Sequence, residues 1–233
     1  MPQTLLLLPG LLCDARLWRD QMNALAGPVE PIVADLTHHD KIDDMARHAL
    51  AAVPGRFALC GLSMGGYVAL AVMRLAPERV TRLCLMDTTA RPDTPEQMRR
   101  RRGLIALTRG NRFRGVTPRL LPQLLHPDRL GDAALCQEVM DMADRVGRQA
   151  FLRQQHAILH RPDSRPGLRE IGVRTLVVVG SHDAVTPPAL SEEMAEAIPG
   201  AALRMVPEAG HLPPMEQPDS IIELLRAWME DAL

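Results

Sequence analysis

Residues 57–77, FALCGLSMGGYVALAVMRLAP, change character at one point. Phe57 to Gly61 is a short apolar run of the kind that forms a buried strand, whereas Met64 to Leu75 reads as a helix. The pattern Gly61-Leu62-Ser63-Met64-Gly65 therefore falls on the turn between them. A serine at a helix start is ordinarily a cap. Here Gly61 and Gly65 lack the Cβ atoms that would clash across a sharp bend, and Gly66 lets the helix approach the strand closely. G-x-S-x-G on a strand-to-helix turn is the setting in which a serine is pushed out as a nucleophile, at a helix N-terminus that favours negative charge.

Outward from this turn the rhythm repeats. Thr4 to Leu8, Pro31 to Ala34, Arg82 to Met86, Thr175 to Val179 and Leu203 to Val206 are further strand candidates, several of them continuously apolar, as strands buried on both faces are. Between them lie helical spacings, clearest in Ile42, Met45, Ala46, Ala49, Leu50 and Val53, and again in Ile221, Ile222, Leu224, Leu225 and Trp228. Alternating strand and helix predicts an α/β fold, a mostly parallel central sheet with helices on both faces. Ligand-binding groups in such sheets collect at the carboxyl ends of the strands.

One interval departs from this. From Arg91 to Gly172 no strand is evident, but Ala133 to Val146 is helical, so residues 91–172 are expected to be an inserted helical cap on a core of 1–90 and 173–233. The insertion holds sixteen arginines against nine acids, about +7, and the remainder carries about −8, although the whole chain is near neutral at −1.

Composition narrows the function. Of 233 residues, 46% are hydrophobic and six are aromatic, which with the neutral balance excludes a stacking, phosphate-binding surface and hence nucleic acid. Cys13, Cys60, Cys84 and Cys136 have no metal-ligand spacing and are expected to be reduced and mostly buried. The N-terminal MPQTLLLLPG has no basic stretch, and its apolar run is too short to span a bilayer, which predicts a cytoplasmic protein without a membrane partner.

A serine nucleophile needs a histidine base, a carboxylate to orient it and donors for the developing oxyanion. GSHDAVTPP, residues 180–188, offers Asp183 after one strand, and AGHLPPMEQP, residues 209–218, offers His211 after the last. Each alone reads as a turn acid or a solvated histidine, but the order Ser, Asp, His after three different strands is the order a nucleophile elbow uses. Asp87, after RLCLMD, is a rival acid or a turn cap with Thr88. His38 and His39 are adjacent, so their side chains diverge, and no third ligand is suitably spaced; a polar loop is expected there, with no metal and no cofactor. His182 reads as a surface neighbour of Asp183.

With these three segments the chain resembles the α/β-hydrolase superfamily, in particular its small cap-bearing esterases, carbon-carbon hydrolases and cofactor-free haloperoxidase-like proteins. The resemblance implies a Ser63-His211-Asp183 triad and an oxyanion hole from the backbone amides of Met64 and Leu11, with Leu12 as second candidate. Relatives often carry His-Gly after the first strand where this chain has Pro9-Gly10, and this chain begins at what would be their third strand, so about six parallel strands are expected. The implied activity is hydrolysis of a small carboxylic ester or thioester. Carbon-carbon cleavage or lyase chemistry on the same triad, or a non-catalytic receptor role, are the alternatives. Arginines of the run Arg99 to Arg102, or Arg109, Arg112 and Arg114, are read either as a solvated face or as binding an acidic group on the substrate.

Overall fold

Continuous apolar runs demand burial on two sides, and the sheet provides it. The computed structural model describes residues 2–110 and 113–230. Six strands, β1 (Gln3–Leu8), β2 (Val29–Val33), β3 (Phe57–Leu62), β4 (Val80–Met86), β5 (Arg174–Gly180) and β6 (Ala202–Val206), pair in parallel in the order β2-β1-β3-β4-β5-β6. Every residue of β3 is buried, whereas the edge strands β2 and β6 expose Glu30, Arg204 and Met205. Pro31, which cannot donate to a ladder, lies in β2, where one side has no neighbouring strand.

The helices are α1 (Arg19–Leu25), α2 (Ile42–Ala52), α3 (Met64–Leu75), α4 (Pro95–Arg109), α5 (Leu121–Leu124), α6 (Ala133–Leu159), α7 (Pro188–Ala197), α8 (Pro213–Glu216) and α9 (Pro218–Met229). Alternate residues of β1 enter opposite layers: Leu6 and Leu8 pack with Met45, Ala49, Val68 and Val72 of α2 and α3, while Leu5 and Leu7 pack with Leu25, Ile221, Leu225 and Trp228 of α1 and α9. The spacing seen in the sequence of α2 and α9 is thus the spacing of their sheet-facing sides.

Between β4 and β5 the chain runs through α4, α5 and α6, with no strand among the described residues. The helical stretch expected to end near Val146 continues to Leu159 after a break at Gly147, whose φ of 75° and ψ of 176° interrupt α6. Ala143 and Phe151, on either side of that break, pack on Leu12 and Leu11 in the loop after β1.

Strand order reverses at β1. Its loop and the loop after β3 therefore diverge around a crevice at the carboxyl edge, the switch point at which open parallel sheets bind ligands. Gly10 to Cys13 and Ser63 face each other across it.

Candidate active site

The turn after β3 is strained in a way only its neighbours permit. Ser63 has φ 54° and ψ −115°, and its side chain makes no cap hydrogen bond to α3. A non-glycine residue at such angles costs about 1–3 kcal/mol and persists only when its surroundings over-determine it. They do: the Ser63 amide donates to the Met86 carbonyl at 3.0 Å, and its carbonyl accepts from Thr88 Oγ1 at 2.7 Å and the Gly66 amide at 2.9 Å. A Cβ on Gly65 would stand 2.1 Å from the Leu8 carbonyl oxygen, and one on Gly61 2.4 Å from that of Gly65. At Gly66 the space a Cβ would need is filled by Thr88, so the third glycine accommodates the residue that holds the turn.

Freed from capping, the Ser63 hydroxyl donates to Nε2 of His211 at 2.9 Å. The other ring nitrogen of His211, Nδ1, donates to Asp183 Oδ2 at 2.9 Å, so the carboxylate fixes the tautomer that leaves Nε2 an acceptor. Asp183 is itself held: Oδ1 accepts the Val185 and Thr186 amides at 2.8 and 3.0 Å, and Oδ2 accepts Thr186 Oγ1 at 2.6 Å. Burial alone would raise the Asp183 carboxyl, but the facing His211 and the bonds from His211 and Thr186 hold it below the usual carboxylate range. The loops that carry these residues meet at Gly180, where a Cβ would lie 2.0 Å from the Gly210 carbonyl oxygen.

Asp87 occupies the same depression without the same role. It is fully buried, with φ 43°; its Oδ1 accepts the Gly180 amide at 2.8 Å, and its Oδ2 has no hydrogen-bond partner among the described residues. Its carboxyl, a ring nitrogen of His211 and the Asp183 carboxyl lie within 4.8 Å of one another. Burial, then the neighbouring charge of Asp183, push the Asp87 carboxyl well above the ordinary range. The rival acid therefore stands beside the Asp183–His211 pair, and its neighbour Thr88 bonds Ser63 instead of forming a cap with it.

Two supporting residues left little trace in the sequence. Glu216, in α8 and 2% exposed, accepts the Gly210 and Leu212 amides at 3.0 Å each and the His126 amide at 2.6 Å. Burial raises its carboxyl despite these bonds. Its only sequence signal is a charge inside the proline-rich, otherwise apolar run that follows His211. Gln154, in α6 and fully buried, accepts the Leu12 amide at 3.1 Å. That takes the second oxyanion candidate out of contention, while Leu11 keeps an amide without a protein acceptor among the described residues. The Met64 amide, at the first turn of α3, has no intrahelical acceptor either, and it stands at the positive end of the helix.

A sequence profile of the alpha/beta hydrolase family matches residues 5–224. The chain belongs to this family. A pimeloyl-[acyl-carrier protein] methyl ester esterase of Nitrosomonas europaea is 26% identical to it, over 96% of this chain and 94% of the relative. The enzyme so described from Neisseria meningitidis is 30% identical over 75% of this chain and 69% of its own length. Among solved structures, a thermophilic esterase of Thermogutta terrifontis, malate-bound, superimposes with a TM-score of 0.92 at 31% identity, covering 100% of this chain and 91% of that one.

In this alpha/beta hydrolase a cavity of about 110 Å³ opens beside Ser63 and His211. Leu11, Leu12 and Cys13 line it from the loop after β1, and Val116, Val139 and Met142 line it from the segment between β4 and β5. Among the described residues its lining contains no arginine or lysine. Arg99 and Arg109 are exposed on α4, Arg114 is exposed beyond it, and Arg112 lies outside the described residues. Arg101 turns inward to Asp93 at 2.7 Å, a carboxylate that Arg161 also binds at 2.6 Å. His38 pairs with Asp35 at 3.0 Å and His39 packs on His48, both away from the cavity. His182, the neighbour of Asp183, packs its ring edge-on to that of buried His126. All four cysteines are buried and unpaired, and burial pushes the Cys13 thiol, at the cavity wall, up to about 12. No helix among the described residues is long and apolar enough to cross a membrane.

Proposed function

We propose that this alpha/beta hydrolase is a serine esterase that cleaves small carboxylic esters or thioesters through an acyl-enzyme. The observation that carries the proposal is the unbroken relay from Asp183 through His211 to Ser63, two contacts of 2.9 Å each, ending on a hydroxyl that its own helix does not use. The esterase names of the relatives in Nitrosomonas, Neisseria and Thermogutta support it.

His211 Nε2 takes the Ser63 proton as Oγ bonds to the carbonyl carbon, and the carbonyl π-electrons move to oxygen. The amides of Leu11 and Met64 receive that oxyanion. Collapse of the tetrahedral species expels the alcohol or thiol, which leaves with the proton from His211. Water then attacks the acyl-enzyme and gives its proton to His211; the second tetrahedral species breaks its bond to Ser63 Oγ, which regains the proton from His211 as the acid is released. Asp183 stays ionised throughout and steadies the imidazolium, in keeping with its lowered pKa.

The volume and apolar lining of the cavity favour a short, uncharged acyl group. Residues 91–172 act as a cap in this proposal, since Val116, Val139 and Met142 supply one cavity wall. Four buried free thiols suit a reducing, cytoplasmic setting.

Labelling with a fluorophosphonate tests the nucleophile. One label per chain, lost in Ser63→Ala, is expected; labelling that survives the substitution overturns the assignment. On p-nitrophenyl esters, turnover should be higher for acetyl and butyryl than for octanoyl groups.

A further inference from the structure

The loop that presents Leu11 is held in an uncomfortable shape by a residue far away in sequence. Gly10 to Cys13 is a β-turn closed by the Cys13 amide on the Gly10 carbonyl at 3.2 Å, and its third residue, Leu12, has φ 59°. That position of a turn with left-handed backbone ordinarily belongs to glycine or asparagine, and a bulky residue there is an outlier. Two things oppose its relaxation. The Leu12 side chain packs against Ala143 and Phe151 of α6, and its amide is taken by Gln154 Oε1.

Gln154 is built for this contact. It is fully buried in the half of α6 beyond Gly147, and a carboxamide there is costly unless both of its ends are satisfied. Both are: Oε1 accepts from Leu12 and Nε2 donates to the Leu36 carbonyl at 3.3 Å. One side chain thus ties α6 to the loop after β1 and to the chain just past β2, the strand beside β1 in the sheet.

We infer that Gln154 is a positioning residue for the oxyanion site: by occupying the Leu12 amide and holding its strained turn, it fixes the form of the loop in which the Leu11 amide stays unpaired at the cavity. This rests on the proposed esterase function. Without Gln154 the Leu11–Leu12 peptide can flip, carrying Leu12 to ordinary angles and moving Leu11 with it. Oxyanion donors act only within about 2.7–3.1 Å of the developing charge, so a small shift of Leu11 reaches the transition state more than the bound substrate.

The test is steady-state hydrolysis of p-nitrophenyl butyrate by wild type, Gln154→Leu and Gln154→Glu, with active sites counted by phosphonate titration. For Gln154→Leu, kcat per titrated site should fall about tenfold to a hundredfold, a fraction of what losing a donor outright costs, with KM within about twofold. A protonated glutamate can accept from Leu12 and donate to Leu36, so the Gln154→Glu to wild-type ratio of kcat should rise as pH falls; this variant also carries the test if Gln154→Leu does not fold. Unchanged kcat per site, or a ratio flat with pH, overturns the inference. Amide hydrogen exchange at Leu12 needs no substrate and separates the two proposals. Slow exchange in wild type that becomes fast in Gln154→Leu upholds the clamp even if wild type hydrolyses no ester, which would overturn the esterase function alone, and equal exchange in both overturns the clamp.

Discussion

Glu216 grips His211 without touching its ring: the buried carboxylate accepts the amides of Gly210 and Leu212, the residues on either side of the histidine. The same carboxylate accepts the His126 amide, and the His211 amide donates to the Leu124 carbonyl at 2.8 Å, so the histidine loop and the segment around α5 are locked as one body. A carboxylate can do this because it offers about four acceptor sites and no donor.

Glu216→Gln should therefore be damaging although it preserves shape. The amide keeps one acceptor oxygen and points a donor at amides that are themselves donors, leaving buried N–H groups unpaired. A loss of roughly 2–4 kcal/mol in unfolding free energy is expected, read by urea denaturation, since bonds to a charged group are each worth about 1.5–3 kcal/mol. A change below about 0.5 kcal/mol would show that the three amides find other partners.

Asp183 and Asp87 should separate cleanly. In Asp183→Asn the imidazole loses the charge that steadies its protonated form and the acceptor that fixes its tautomer, and kcat should drop roughly 10³–10⁴-fold. Asp87→Asn keeps an oxygen for the Gly180 amide and leaves the contacts from Asp183 through His211 to Ser63 in place, so kcat should stay within about threefold of wild type. Steady-state kinetics of the two variants at neutral pH decides; equal losses would mean the histidine draws on both acids.

What the sequence made legible was whatever depends on local pattern. Interior strands such as β3 announced themselves because both faces are buried, and the Gly61 to Gly65 turn because only glycine tolerates contacts of 2.1 and 2.4 Å at a Cβ position. Gln154 and Glu216 were not legible, because their partners are 142 and up to 90 residues away and nothing in RQQH or PPME distinguishes a buried polar side chain from a solvated one. The arginine run left two readings open for a related reason. A helix distributes consecutive residues around its axis, so Arg101 alone turns inward to Asp93, while Arg99, Arg100 and Arg102 face solvent.

Those exposed arginines should matter little to small substrates. Neither Arg99 nor Arg109 lines the cavity, so Arg99→Ala and Arg109→Ala should leave KM for p-nitrophenyl butyrate and for a carboxylated ester such as p-nitrophenyl succinate within about twofold. A selective rise in KM for the carboxylated ester would place an anion site on α4.

The raised Asp87 carboxyl also fixes the sign of a pH effect on stability. In the unfolded chain an aspartate releases its proton near pH 3.9, roughly, whereas in the folded protein burial and the charge of Asp183 keep Asp87 protonated to higher pH. Between those two pKa values the folded state binds the extra proton, so this group's contribution to stability diminishes as pH rises through that window. Asp183 acts oppositely: its lowered carboxyl contributes stability above the unfolded value and loses it on acidification. Asp87→Asn removes only the first effect, and the asparagine can donate to Asp183 while still accepting from Gly180. Its melting temperature should exceed that of wild type at pH 8, and the gap should narrow toward pH 4. Thermal denaturation across that range checks the sign: a gap that widens on acidification would mean that Asp87 is ionised in the folded protein.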